Sequence, residues 1–358
     1  MNIISPINQL GYGIAGLNIL KSFVNNEKYD NVCLWPLGQP EVTNEKDLEI
    51  VRECIKNAQF PSFKDPCLRV WHQHDMSQWV GSGRRIGFPF FELDKFSELE
   101  KYHLNNGVDR LFVTSQWAKD VCRQELSLPE HKINIIHLGV DTDIFKPCDP
   151  PESKTTVFFN CGKWEVRKGH DVLIDIFNKA FKPDDDVELW MMTENVFLSS
   201  AQDQAWKERY LNSPLGSKIK FIPRVKTQLE VYNIMRSVDC GVFPSRAEGW
   251  NLEALELLSC GKSLIITNYS AHQEFCNDEN SSLVDITNLE LARDDVFFRQ
   301  GEGKWGEISF KQKNEFISHM RNIHSAKQSG NLVVNDAGIE TGKKFTWNRT
   351  SEEIRKYV

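Results

Sequence analysis

Apolar and polar positions along this chain fall into two alternating rhythms. Short apolar runs at residues 2–7, 32–34 and 68–72 are bounded by turn residues, while Leu17, Leu20 and Val24, and then the stretch 46–55, repeat at helical spacing. A strand followed by a helix, repeated, predicts a parallel sheet covered on both faces. One more strand is expected at 133–136. The rhythm then restarts with an apolar strand at 156–160 and a helix carrying Leu173, Phe177 and Phe181 on one stripe, and it continues through strands at 187–191, 218–222 and 240–244. Between the two runs stand Pro147, Pro150 and Pro151 with acidic neighbours, which form a linker and place a boundary near residue 150. The reading is therefore α/β, with a first domain at 1–150 and a second at 151–344. The region 277–340, including the loop at 300–303, carries no recognisable chemistry.

Length supports two domains, because 358 residues exceed one ordinary core. A net charge of −7 argues against a nucleic-acid binder, which needs a broad basic face. The nine cysteines are scattered and contain no C-x-x-C pair, which suits reduced thiols in a cytoplasmic compartment. Residues 1–6 lack the basic and apolar regions of a signal peptide, and no apolar run approaches the length of a membrane span. A soluble, cytoplasmic protein is expected, with room for peripheral membrane contact.

The chemistry concentrates at residues 243–260. An apolar strand there runs into Glu248-Gly249-Trp250-Asn251, and Leu252, Leu255 and Leu258 follow at helical spacing. Gly249 permits close backbone approach and Asn251 is an N-cap, so free N–H groups point out of the loop and suit an anion. Glu248 and Glu256 flank that position as E-x7-E; carboxylates repel phosphate but accept from sugar hydroxyls, whereas the plain alternative makes Glu256 a solvated helix residue. Upstream, Lys163, Arg167 and Lys168 crowd one strand-to-helix loop. Three cations so close repel one another unless an anion is bound or water surrounds them, and a nucleotide diphosphate supplies the charge. Near the start, residues 11–16 spell G-x-G-x-x-G between a strand and a helix, the dinucleotide fingerprint, but no acidic residue closes the second strand. The third strand ends in Trp71-His72-Gln73-His74-Asp75, where H-x-H spacing lets alternate side chains point one way; a third metal ligand is missing, and the plain reading of His74 is an interior histidine beside Asp75. The acidic triplet Asp184-Asp185-Asp186 precedes a strand and so reads as a solvated loop at the far edge of its sheet.

Residues 248–256 resemble the E-G-F-G-L-P-x-x-E motif of the retaining GT-B glycosyltransferases of family 4, with Trp250 for Phe and Asn251 for the second Gly. Three other blocks share the resemblance: 162–169 with G-R-x(4,5)-K-G, 137–147 with I-P-x-G-V-D-x-x-x-F-x-P, and 86–94 with 111–118. The resemblance implies two facing Rossmann-like domains with a cleft between them, and a C-terminal helix, about 345–358, crossing back onto the first. It implies a hexosyltransferase-type enzyme that moves a sugar from a UDP- or GDP-linked donor to a hydroxyl of a glycan, lipid or other acceptor, retaining configuration and using no metal or other cofactor. Catalysis falls to His74, with His72 as second choice, Glu248 and Lys168. Donor contacts fall to Gly13, Lys163, Arg167, Lys168, Arg224, Val225, Gly249, Trp250, Asn251, Leu252 and Glu256, where Lys163 occupies the family's Arg position and Arg167 is an additional cation. Glu92 is the acceptor-side candidate, with a loop-capping role as its plain alternative. An inactive nucleotide-sugar-binding protein and an NAD-binding oxidoreductase are the competing readings.

Overall fold

The apolar runs pair into two separate six-stranded sheets. A computed structural model describes residues 1–25, 31–298 and 301–358. It divides the chain into one unit made of Met1–Val140 with Phe345–Val358, and a second made of Asp141–Lys344.

In the first unit the strands are β1 (Asn2–Ser5), β2 (Cys33–Pro36), β3 (Cys67–Arg69), β4 (Arg85–Gly87), β5 (Arg110–Val113) and β6 (Ile133–Ile135), and the helices are α1 (Gly11–Val24), α2 (Glu45–Asn57), α3 (Glu98–Gly107) and α4 (Gln116–Glu125). The sheet order is β2-β1-β3-β4-β5-β6 with every pair parallel. Register lines up Leu34, Ile3, Leu68 and Ile86 as one fully buried row across four strands, which is what continuous apolar runs covered on both faces produce. Four elements go beyond the sequence reading, namely β4, β5, α3 and α4. Strand β4 is three residues long, and α3 has Leu104 as its one buried residue, so it shows no apolar stripe. Its signal is instead the capping box Ser97–Glu100.

The second unit contains β7 (Thr156–Cys161), β8 (Val187–Met192), β9 (Ile219–Phe221), β10 (Cys240–Phe243), β11 (Ser263–Asn268), β12 (Ser282–Asp285) and an antiparallel pair, β13 (Leu289–Leu291) with β14 (Lys304–Gly306). Its helices are α5 (His170–Ala180), α6 (Ser200–Leu211), α7 (Gln228–Met235), α8 (Leu252–Ser259), α9 (Phe310–Gln328) and α10 (Asp336–Lys344). The parallel order β12-β11-β10-β7-β8-β9 is the doubly wound arrangement, with chain direction reversing between β7 and β10. Phe158, Leu173, Phe177, Leu189, Val242 and Ile265 sit in one buried core around it. Of the loop at 300–303, Gln300 lies outside the described residues.

The division falls after Val140 rather than near 150. Residues 145–148 already pack on the second unit: Ser259 Oγ donates to the Phe145 carbonyl at 2.7 Å and the Cys148 N–H to that of Cys260 at 3.1 Å. The tail returns to the first unit as expected. Val140 bridges Thr346 in parallel, α11 (Trp347–Arg355) follows, and Thr350 Oγ1 donates to the His137 carbonyl at 2.8 Å. Arg355 donates to the Ser22 carbonyl at 2.6 Å and lies 5.0 Å from the Phe23 ring.

Candidate active site

Where a doubly wound sheet reverses, the loops leaving two adjacent strands diverge and open a crevice at their carboxyl ends. In the second unit those loops are 162–169 after β7 and 244–251 after β10. They touch directly: Arg246 N–H donates to the Arg167 carbonyl at 2.7 Å, and Gly169, at φ 74°, is so close to Pro244 that a Cβ would lie 2.0 Å from its carbonyl oxygen. Arg246 also grips Asp171 through two nitrogens, at 2.7 and 2.9 Å, and Glu290 at 2.8 Å, tying the β13–β14 hairpin to the same loops.

Between the loops lies a buried ionic network. Glu248 Oε1 accepts from Lys168 Nζ and from Ser245 Oγ, both at 2.9 Å, and Oε2 accepts from Arg167 Nη1 at 2.6 Å. Arg167 donates onward to Glu165 Oε2 from Nε at 3.0 Å and from Nη2 at 2.7 Å, and Nη1 also reaches the Ala247 carbonyl at 2.8 Å. Lys163 Nζ lies 3.1 Å from Glu165 Oε1. Burial works to raise the Glu248 carboxyl, but Arg167 and Lys168 outweigh it and hold the group well below the usual carboxylate range. Glu165 is lowered in the same way, against its burial, by Arg167 and then Lys163. The three cations therefore do not depend on water or a bound anion for company, since two carboxylates of the chain are interleaved with them. Glu165 escaped the sequence reading, although an acid set among Lys163, Arg167 and Lys168 was its visible signal.

Glu256 has the opposite environment. It is 6% exposed, so it is not a solvated helix residue, and its carboxyl meets no hydrogen-bond donor or cation among the described residues. Burial, with Glu253 beside it, raises its pKa well above the ordinary carboxyl value. A buried carboxyl without a donor suits a ligand that brings hydroxyls.

The loop connecting the two glutamates is held rigidly. Asn251 sits at φ 84°, a left-handed conformation that glycine and asparagine adopt most readily, which accounts for Asn where the family motif has glycine. Its Oδ1 accepts from the Ala254 N–H at 3.1 Å, and its Nδ2 donates to His272 Nε2 at 3.0 Å while His272 Nδ1 donates to the Thr267 carbonyl at 2.9 Å. Burial pushes His272 down to about 4. Gly249, Trp250 and Leu252 are all buried, with the Trp250 ring 5.1 Å from that of Phe275. Another histidine unmarked in the sequence, His170, accepts from the Glu165 N–H at 3.0 Å and donates to Asn160 Oδ1 at 2.9 Å, fastening the cationic loop to β7. Burial pushes it down to about 3. Gly162, at φ 132°, leaves room for Lys168, whose Cε would be 2.9 Å from an added Cβ.

Other expected donor residues lie at the rim of the network or apart from it. Lys163 is half-exposed, with Nζ 4.9 Å from the Phe197 ring and 5.8 Å from the Phe297 ring. Arg224 and Val225 follow β9, two strands from β7, and the Arg224 N–H donates to Glu194 at 3.4 Å. Asp184-Asp185-Asp186 leads into the amino end of β8, where Asp185 accepts from the Lys182 N–H at 2.7 Å. Among the described residues no group of three or more His, Cys, Asp or Glu is placed to hold a metal.

The first unit has its own reversal point, between β1 and β3. Gly13 is buried so tightly against Asn8 that a Cβ would lie 2.4 Å from its backbone nitrogen. Tyr12 stacks on Phe90 at 4.5 Å, accepts from the Phe90 N–H at 2.7 Å, and packs 4.6 Å from the His72 ring. The third strand stops at Arg69, so His72 and His74 belong to a turn rather than to alternate strand positions, yet their rings stack at 5.3 Å. His74 is exposed, and Asp75 pairs with Arg69 at 2.6 Å, which replaces the interior histidine beside Asp75 that the sequence suggested. Glu92 is half-buried.

Residues 155–293, within the second unit, match the family described as Glycosyl transferases group 1. An uncharacterized glycosyltransferase of Methanocaldococcus jannaschii is 24% identical over 259 residues, and the match spans 72% of this chain and 60% of that relative. Among solved structures, the sucrose-phosphate synthase of Thermosynechococcus elongatus superposes with a TM-score of 0.69 at 15% identity, covering 99% of this chain and 97% of that one. HepE of Anabaena, solved in complex with UDP-glucose, gives 0.68 at 13% identity over 99% and 98%. WaaG, a glycosyltransferase involved in lipopolysaccharide biosynthesis, gives 0.65 at 11% identity over 99% and 98%. The architecture is thus that of GT-B glycosyltransferases, as the sequence motifs implied.

Proposed function

We propose that this chain, whose second unit matches the group 1 glycosyltransferases, moves a hexosyl group from a nucleoside-diphosphate sugar to an acceptor hydroxyl with retention of configuration. The observation that carries the reading is the pairing of opposites at one strand reversal: Glu248 ionised and cradled by cations, and Glu256 buried with no protein donor. A nucleotide sugar fits both, since its diphosphate meets the cations while its ribose and sugar hydroxyls meet the carboxyl groups. The UDP-glucose held by HepE supports a donor of this class.

In the proposed reaction the bond from the anomeric carbon to the diphosphate breaks, and a bond to the acceptor oxygen forms on the same face. The acceptor proton passes to the departing phosphate oxygen. Lys168 and Lys163, with loop N–H groups, stabilise charge developing on the diphosphate. Glu256 takes the ribose hydroxyls and Glu248 those of the sugar. His74 and Glu92 are the first unit's proposed contribution, His74 toward the sugar and Glu92 toward the acceptor.

The test is calorimetric binding of UDP, GDP, ADP and NAD to the wild-type chain and to Glu256→Ala. Tight binding of one nucleoside diphosphate, weakened at least about tenfold in the variant, is expected. Binding of NAD alone would transfer the site to residues 11–16 and end the proposal.

A further inference from the structure

Arg167 stands between two carboxylates, and its donors are spent inside the protein. Nε and Nη2 face Glu165, while Nη1 faces Glu248 and the Ala247 carbonyl, and the side chain is 6% exposed. Lys168 differs: its ammonium makes one bond, to Glu248 at 2.9 Å, so two N–H groups remain for a ligand. Three cations are bonded to two carboxylates, with Glu253 acting on Lys168 through space, and the donors left over belong to Lys168 and the half-exposed Lys163. When a diphosphate draws Lys168 toward itself, Glu248 loses part of its neutralising partner, and burial then favours the protonated acid. A second cation that does not move with the ligand prevents this.

We infer that Glu165 and Arg167 are positioning residues: Glu165 orients the Arg167 guanidinium, which keeps the Glu248 carboxylate ionised and aimed during turnover and does not itself bind the diphosphate. The inference rests on the proposed transferase reading, and it moves Arg167 from donor contact to support of the carboxylate. The planar fork is what makes the role specific, because one edge of the guanidinium serves Glu165 while Nη1 serves Glu248, and a lysine ammonium cannot span both.

The experiment compares Arg167→Gln, Arg167→Lys, Glu165→Gln and, as control, Lys168→Ala, using whichever nucleoside diphosphate the wild-type chain binds and the matching sugar donor. For Arg167→Gln, diphosphate affinity should stay within about fivefold of wild type while kcat falls at least about tenfold and its acidic limb moves up by about one pH unit or more. Arg167→Lys should recover the charge without recovering kcat. Glu165→Gln makes the loops more positive, so it should hold or tighten diphosphate binding while lowering kcat. Should Arg167→Gln fail to fold, the Glu165→Gln comparison decides alone. Loss of more than about tenfold in diphosphate affinity for Arg167→Gln with an unmoved acidic limb, or Glu165→Gln with full turnover, overturns the inference. A wild-type chain that binds no nucleoside diphosphate overturns the transferase reading itself, which the wild-type titration shows before any variant is made.

Discussion

Lys168 contributes both its bond to Glu248 and its two remaining donors, so removing it removes charge from the proposed diphosphate site and unbalances a buried carboxylate together. For Lys168→Ala we expect kcat/KM to fall by more than about tenfold, the equivalent of about 1.4 kcal/mol of barrier, in steady-state assays with the donor that binds. Gly162→Ala presses a methyl against the same lysine at a φ of 132°, and should lower both activity and stability while leaving the charge untouched. His170 and His272 dictate a pH response. Burial depresses them to about 3 and about 4, so the native state stays neutral where unfolded histidine, near 6.5, takes up a proton. Their contribution to stability is complete above pH 6.5 and is lost as pH falls below it, because the unfolded chain then binds protons that the native chain refuses. Urea midpoints should drop between pH 6.5 and 4, and Lys168→Ala, which removes a cation that disfavours protonation of both, should soften that drop. The candidate residues Lys168, Glu248 and Glu256 could be singled out from the sequence, since they stand at spacings that a strand-loop-helix makes meaningful. Their partners were less legible: Glu165 stood visibly among the cations, but pairing Arg167 with Glu248, or Asn251 with His272, is a matter of three-dimensional approach that spacing along the chain does not encode.

Helix α8 begins in a conformation that its sequence only half announces. Asn was read correctly as the cap, and the structure adds that the same residue lies at φ 84° and is bonded to His272. Asn251→Ala should cost about 2–3 kcal/mol, the sum of a lost cap and a left-handed alanine, whereas Asn251→Gly keeps the backbone at ease and should cost less than half as much in urea denaturation. Elements with a strong apolar period, such as α5 and the strand β7, were found from pattern alone. Those that lacked it were missed. Helix α3 buries Leu104 and little else, β4 is three residues long, and the β13–β14 hairpin pairs residues 289–291 with 304–306 across a polar stretch, so no window carried a period. The hairpin's place is fixed instead by Glu290 on Arg246, a long-range bond.

The first unit is assembled from two distant pieces of chain. Removing Phe345–Val358 deletes the buried Trp347 and Ile354 and leaves Val140 without its bridge, so we expect at least about 3 kcal/mol of destabilisation of that unit. Denaturation of the shortened chain should show the transition of residues 1–140 moving to lower urea while that of 141–344 holds its place. The two-domain plan was visible in the restart of the strand-helix rhythm. The division at 140 was not, because prolines mark where the chain bends and not which core Phe145 and Cys148 pack against.

That return of the tail also orders events on the ribosome. The closing piece of the first unit is made about two hundred residues after the rest of it, and at about 5–20 residues per second that is a wait of some tens of seconds. Through that interval Phe23 and the edge at Val140 lack the residues that cover them, while the second unit, continuous in the chain, is being made. The first unit is thus begun early and completed last, and its dependence on chaperones should be greatest in that window.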